Sequence, residues 1–396
     1  MDHGIGEAIL GQQPLQIGFA VVRYFPHGGM QRTFLRMAQE AVRRGHKVTV
    51  LASSWEGDQP DEMTVRLLTV RACSNHGVNV AFGRALREER SRLNLDLVVG
   101  FNKLPGLDVY YAGDPCFAAR CDEEQRSWLT MLLPRYRTYR QLEASCFGEA
   151  SVTESLLIAH GELEKFQSHY KTLRSRIHLL PPGVDRGRLA GEWSADERES
   201  VRQEMGASRD DLLLMTIGSG FKTKGIDRTI RAIASLDLGL KSRIRFAVAG
   251  VGNESDYRRL AVDLGIGDQV KFLGPRDDVG SLLRATDLLV HPARVENTGT
   301  TLLESMICST PVICSGNCGF ANHVTDANGG WVLPHPFEQR SLEETLQRVL
   351  KTEDLAAKGA HGASYCKRTD LHSLIERGVD VIEEVAERLR CQSNLN

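Results

Sequence analysis

Apolar residues in this chain come in short unbroken runs separated by amphipathic stretches. LQIGFAVV at 15–22 is apolar almost throughout, as a strand buried on both faces of a parallel sheet requires. After the turn PHGG at 26–29, Met30, Phe34, Met37, Ala38, Ala41 and Val42 recur at helical spacing, and Gly45 stands where a C-terminal cap belongs. KVTVLA at 47–52 predicts a second strand, so this first stretch is a βαβ unit with a right-handed crossover. Further strands are expected at 96–102 and 109–112. A second series follows PPG at 181–183 and a charged helical stretch at 194–205. Its strands are predicted at 212–218, 244–250, 270–274, 288–292 and 311–315, alternating with helices such as 224–236 and 299–308. Beyond Trp331 the pattern reads as helix to the end, most clearly at 341–350 and 371–389.

The pattern predicts an α/β chain of two Rossmann-like, doubly wound domains, with a ligand expected in the cleft between them, facing the carboxyl ends of both sheets. Residues 1–14 read as a disordered extension, 15–183 as the N-terminal domain, 184–366 as the C-terminal domain, and 367–396 as a C-terminal helix packing back towards the N-terminal domain. The length of 396 residues agrees, since one core rarely grows beyond roughly 250–300 residues. With 49 basic against 51 acidic residues the formal charge is −2, which argues against a nucleic-acid partner held by the field of the whole protein. No apolar run approaches the roughly 18 residues of a membrane span. Residues 1–14 lack the basic start and apolar stretch of a secretory signal, which predicts a cytoplasmic address. The nine cysteines are odd in number and contain no C-x-x-C pair, so reduced, scattered thiols are expected rather than a disulfide framework or a zinc site.

The segment ENTGTTLLE at 296–304 carries the most chemistry. It follows the strand LLVHP directly. A helix starting near Thr298 would offer the amides of Thr298, Gly299 and Thr300 to a phosphate, with Gly299 leaving room for close approach. Glu296 and Glu304 would stand roughly 12 Å apart along such a helix, at about 1.5 Å per residue. That exceeds the roughly 5–9.5 Å of a glycosidase acid pair, so the two acids grip different parts of one long ligand, or one is incidental to a capped helix. In GSGFKTKG at 218–225, Lys222 and Lys224 lie between a strand and a helix, where cations oppose the dipole unless an anion such as a phosphate accompanies them. Gly28 and Gly29 follow the first strand and allow backbone to approach a phosphate or sugar. No D-x-D pair that would hold a metal-bound diphosphate is present.

An acid pair spaced E-x7-E after a strand, with these glycine and lysine loops, resembles the retaining GT-B glycosyltransferases that use nucleotide sugars. YFPHGGMQR at 24–32, WEG at 55–57, NHG at 75–77, GFNKLPGLDVY at 100–110 and LPPG at 180–183 resemble the branch that glucosylates the first heptose of the lipopolysaccharide core. The similarity runs from about residue 15 to 390, and only the N-terminal motifs point to the heptose-directed branch. The resemblance implies that 15–183 binds the acceptor and 184–366 the UDP-sugar donor, with no metal or other cofactor. It implies that Glu296 holds the donor sugar, Glu304 the ribose and Lys224 the departing diphosphate, that Arg276 in GPRDD faces the uracil, and that Asp114 in YAGDP lies near the donor sugar. Thr223 stands where the family often has arginine; either Lys222 restores the lost charge or diphosphate binding is weaker. The donor hexose, glucose by resemblance, is open among glucose, galactose and N-acetylhexosamines.

Residues 126–140 contain arginines, aromatics and aliphatics but no acid. This stretch either lies on an anionic membrane surface, apolar side down, as a peripheral contact, or packs in the core with a basic outer face. Rival readings are weaker. GVGNES at 250–255 lacks the third glycine of a dinucleotide fingerprint and lies in mid-series, and no P-loop motif is present. Transfer to another glycan, and a noncatalytic sugar-nucleotide binder, remain alternatives.

Overall fold

The alternation along the first strand decides the layering. In β1 (Gln16–Tyr24), Ile17, Phe19 and Val21 face a core that includes Phe34, Met37 and Ala38 of the helix Gly29–Arg43, whereas Ala20 and Val22 face Phe82 and Leu86 of the helix Asn75–Leu93 on the other side. A strand apolar on both faces is thereby covered on both faces, each large buried side chain contributing roughly 1.5–3 kcal/mol. The computed structural model describes residues 13–26, 28–189, 193–352 and 354–393. For residues 1–12 the expected extension lies outside the described residues.

The chain divides into two units, one running to Leu180 and resuming at Leu374, the other spanning Pro181–Ser373. The first holds a seven-stranded sheet in the order β3-β2-β1-β4-β5-β6-β7, with β2 Lys47–Trp55, β3 Thr64–Leu67, β4 Leu97–Gly100, β5 Val109–Ala112, β6 Glu154–Leu157 and β7 Ile177–Leu179. The second holds a six-stranded sheet in the order β10-β9-β8-β11-β12-β13, with β8 Leu212–Ile217, β9 Ile244–Ala249, β10 Val270–Gly274, β11 Leu288–His291, β12 Val312–Ser315 and β13 Gly330–Leu333. The strand pairs are parallel, for example Gln16 with Lys47 and Leu212 with Ile244. In both sheets the order reverses beside the first strand of the unit, at β1/β4 and at β8/β11, which is where open α/β sheets bind ligands.

Two boundaries move. The units divide at 180/181 and 373/374, not at 183/184 and 366/367. Val184 N donates to Leu371 O at 2.9 Å and His372 Nδ1 meets Val184 O at 2.8 Å, tying both crossings into the second unit, to whose core Cys366 and Leu371 also belong. The helix Leu374–Ser393 instead places Leu374, Ile375, Val379, Ile382 and Val385 in the first unit's core. The stretch after Trp331 is also not helical from its start, because Gly330–Leu333 pairs as strand β13 with β12.

Candidate functional site

The carboxyl ends of β8 and β11 lie side by side at the reversal in the second sheet, and close backbone packing sets what leaves them. After β8 the chain makes the short helical turn Phe221–Lys224, stopped by Gly225 at φ 74°. A Cβ on Gly225 would stand 2.2 Å from the carbonyl oxygen of Pro292, just past β11, so only glycine lets the two exits touch. Arg294 then staples them. Its amide donates to Thr223 O at 2.7 Å, and its guanidinium reaches Lys222 O at 3.0 Å and makes two 2.7 Å bonds to Asp227. This arrangement corrects the expected helix 224–236: the helix proper is Ile226–Ser235, and Lys222 and Lys224 lie in a separate four-residue turn ahead of it. Lys224 still stands directly ahead of that helix's N-cap, Gly225, where a cation calls for an anion, but the anion need not be a phosphate.

Lys224 instead has a partner. Its ammonium donates to Glu296 Oε2, and its chain crosses Gly218 so closely that a Cβ there would meet Lys224 Cε at 2.7 Å. His291, buried at the end of β11, meets the same oxygen at 3.0 Å, with Nε2 donating as an ionised carboxylate requires. Burial pushes the Glu296 carboxyl up, but the hydrogen bond from His291 and the charge of Lys224 outweigh it and hold the pKa at about 2. From the other side the loop after β12 fixes the backbone: Gly319 N donates to Glu296 O at 3.2 Å, Phe320 N to Thr298 O at 2.7 Å, and Asn317 Nδ2 to Arg294 O at 2.8 Å.

The next helix begins at Thr300, not near Thr298, and runs to Ile307. Gly299, at φ 86°, is in the left-handed region and cannot continue a helical turn backwards, so Thr298 lies ahead of the helix with its carbonyl already engaged. Glu304 lies within this helix, 2% exposed, and accepts from Arg188 Nη1 at 3.2 Å. Arg276 is ion-paired with Asp278 at 2.6 Å and Glu204 at 2.5 Å, which raises its pKa. The side chain of Lys222 is exposed.

The structure thus brings Lys224 and Glu296 into contact at the end of β8 and β11. Asp114, Gly28 and Gly29 belong to the first unit. Gly28 caps the helix Gly29–Arg43 with an ordinary φ of −85°, and the space beside Gly29 is open for 4 Å around a hypothetical Cβ. Asp114 is exposed and lines a cavity of about 260 Å³. His291, Arg294, Asp227 and Arg188 escaped the sequence reading. The one signal available was His291, a polar residue closing the apolar run LLVH; the others act through chain-distant contacts that periodicity does not carry.

In 126–140, Ser127 caps a short helix Trp128–Met131 and Pro134 opens a second, Pro134–Phe147. The core alternative fails for its apolar part: Trp128, Leu129, Leu132 and Leu133 are 72%, 59%, 56% and 53% exposed. Among the described residues no helix is long and apolar enough to cross a membrane, and no three His, Cys, Asp or Glu side chains gather as metal ligands. All nine cysteines are free thiols.

His291 yields a stability prediction. His291→Leu removes a hydrogen bond to a charged group, worth roughly 1.5–3 kcal/mol, and is expected to lower the thermal midpoint at pH 7. The deficit should shrink as pH falls from about 4.5 towards 2, because the Glu296 carboxylate, depressed below its ordinary 4.5, adds stability only while ionised. A midpoint equal to wild type at pH 7 would contradict the bond.

Two Rossmann-like units with this acid and lysine pair at a sheet reversal define a GT-B glycosyltransferase. Residues 197–363 match the family described as glycosyl transferases group 1, and residues 27–188 match glycosyltransferase family 4. The lipopolysaccharide glucosyltransferase WaaG of Escherichia coli (strain K12) is 38% identical over 92% of this chain and 98% of its own. A crystal structure of WaaG, a glycosyltransferase involved in lipopolysaccharide biosynthesis, superposes with a TM-score of 0.84 at 37% identity, over 92% of this chain and 99% of that one. The fold also matches Anabaena Alr3699/HepE, solved with UDP and glucose, at a TM-score of 0.70 and 17% identity, over 93% and 100% of the two chains. The chain belongs to the glycosyltransferase family that includes WaaG.

Proposed function

We propose that the protein transfers a hexose, glucose by its kinship with WaaG, from a UDP-sugar to the first heptose of the lipopolysaccharide inner core, with retention at the anomeric carbon and no metal. The observation that carries this reading is the contact of Lys224 and Glu296 where the second sheet reverses. Both bonds to Glu296 use Oε2, which leaves Oε1 to accept hydroxyls of the donor sugar. Lys224, the exposed Lys222 and the amides about Gly299 and Thr300 supply positive charge to the diphosphate, the task a metal ion performs elsewhere. Thr298 and Gly299 shape the approach, Glu304 held by Arg188 takes the ribose, and Arg276 borders the uracil. In the first unit Gly28 and Gly29 border the donor, and Asp114 receives the reacting hydroxyl.

A carboxylate ionised down to about pH 2 is a poor proton carrier at neutral pH, so Glu296 acts by position and charge. The bond from the anomeric carbon to the diphosphate oxygen breaks, the bond to the heptose oxygen forms on the same face, and the hydroxyl proton passes to the departing phosphate oxygen. Proton NMR of the fresh product tests this: an α-linked hexose from an α-linked donor is expected, and a β-linkage would overturn the retaining mechanism. Excess chelator is expected to leave the rate within about twofold; activity lost to chelator and restored by Mg²⁺ would overturn the metal-free account.

The exposed Trp128, Leu129, Leu132 and Leu133, flanked by Arg126, Arg135, Arg137 and Arg140, support a peripheral contact with an anionic membrane face, where a lipid-linked acceptor resides. Replacing Trp128 and Leu132 together by Ser is expected to weaken binding to phosphatidylglycerol-containing vesicles at least about tenfold, since each buried large side chain contributes roughly 1.5–3 kcal/mol. Unchanged vesicle binding would remove this segment from the contact.

A further inference from the structure

The cavity in the first unit is smaller than the roughly 300–1,000 Å³ that encloses a drug-sized ligand, and suits about one sugar residue. Its walls are built in advance. Glu143, fully buried, accepts from the amides of Phe117 at 2.8 Å and Ala118 at 3.0 Å, from Tyr170 Oη at 2.7 Å, and from Lys103 Nζ at 2.5 Å. Glu162 accepts from Cys116 N at 2.6 Å. These bonds fix the start of the helix Phe117–Glu123 and cancel the charge of Lys103 inside the protein.

Two cations remain. Arg120 and Arg135 line the same cavity, and among the described residues neither makes an ion pair. Each guanidinium instead lies over a ring, Arg120 at 5.5 Å from the centroid of Phe117 and Arg135 at 5.9 Å from that of Tyr139, while the two rings stand 5.5 Å apart. Stacking restrains the arginines without neutralising them, and leaves their N–H forks for an oxyanion. The remaining polar lining, Asp114, Asn79 and Asn102, suits hydroxyls. Asn102 Oδ1 is already engaged by Val22 N at 2.7 Å, so its amide nitrogen is the group left to donate.

We infer that this cavity is a subsite for an acidic sugar residue of the acceptor, whose carboxylate or phosphate is bound by Arg120 and Arg135 while the asparagines take its hydroxyls. This rests on the acceptor-transfer reading above and names what selects the acceptor. Asp114, exposed on the lining of the same cavity, then takes a hydroxyl of the adjoining neutral residue.

The test measures transfer to soluble, delipidated heptose-containing core oligosaccharide, without vesicles, for wild type, Arg120→Gln, Arg135→Gln and the double variant. Four acceptor forms are compared: native, carboxyl-reduced, dephosphorylated, and both. Each single variant is expected to raise KM for native acceptor about 10–100-fold, the scale of a lost charged hydrogen bond, with the Kd for UDP and the thermal midpoint unchanged. Removing the recognised anion should raise the wild-type KM by a similar factor and abolish the difference between wild type and variants. Carboxyl reduction acting alone identifies a sugar acid, and dephosphorylation acting alone a sugar phosphate. Variants matching wild type on native acceptor, or keeping their full defect on the doubly neutral acceptor, would overturn the proposal, as would a defect seen only when anionic vesicles are added. Titration calorimetry of native and neutral oligosaccharide separates the two readings. Wild type that binds native acceptor at least tenfold more tightly than neutral, through these arginines, but transfers nothing would overturn the transfer reading and keep the subsite.

Discussion

Glu296→Gln is expected to lower kcat by at least about a hundredfold, near 2.7 kcal/mol of transition-state stabilisation, with UDP affinity changed less than about threefold. The substitution keeps shape and removes charge. Glutamine still accepts from Lys224 or His291, so the fold at the end of β11 persists, but the negative charge that the proposed mechanism places beside the reacting sugar is gone. Because the pKa of Glu296 is held at about 2, its ionisation cannot produce a loss of rate on acidification between pH 8 and 5; any such limb must come from another group. Steady-state kinetics with a UDP-binding titration checks both halves. Near-wild-type turnover would remove Glu296 from the reaction.

Lys224→Met is expected to act twice. On the proposed mechanism, removing the cation strips the leaving diphosphate of its partner, lowering kcat by about a hundredfold or more and weakening UDP-sugar binding. It also leaves Glu296 charged and largely buried with His291 alone. Breaking a fully buried pair costs roughly 3–5 kcal/mol, and the surviving histidine bond should reduce this to about 2 kcal/mol. The double variant Lys224→Met/Glu296→Gln separates the effects. It should regain most of the lost thermal stability, since no unpaired charge remains, while transfer stays abolished. A double variant no more stable than Lys224→Met would mean that the stability lost in Lys224→Met does not come from an unpaired Glu296 charge.

The large features of the fold were legible because they follow from burial. A parallel strand covered on both faces must be apolar throughout, and LQIGFAVV, LLLMTI and LLVH are; the strands they form agree with the predicted ones to within a few residues at each end. The strands that escaped, TVRL at 64–67, ESLL at 154–157 and IHL at 177–179, are three or four residues long and mix polar with apolar positions. Gly330–Leu333 was lost for a related reason, as a four-residue edge strand between helices shows too little periodicity to declare itself.

At the candidate site the residues themselves were legible, and their partners were not. Glu296 and Lys224 stood out by resemblance and by their loops, but nothing in the spacing says that one would hold the other, because their contact depends on Gly225 meeting Pro292 across two strand exits. The helix starts were misread for one reason in both places. Gly225 and Gly299 look like residues inside a helical pattern, yet both take positive φ and interrupt it. Arg294 is the clearest omission: a loop arginine with no local signal fixes both exits through bonds to residues about seventy positions away.

The measurement that bears most directly on the central claim is UDP release from a panel of UDP-hexoses, with and without delipidated heptose-containing core oligosaccharide, in excess chelator. Release that depends on the core acceptor, is fastest with UDP-glucose and is indifferent to the chelator is the predicted result. Tight donor binding with no acceptor-dependent release from any UDP-hexose would contradict it and leave a sugar-nucleotide binder or a transferase for a different glycan.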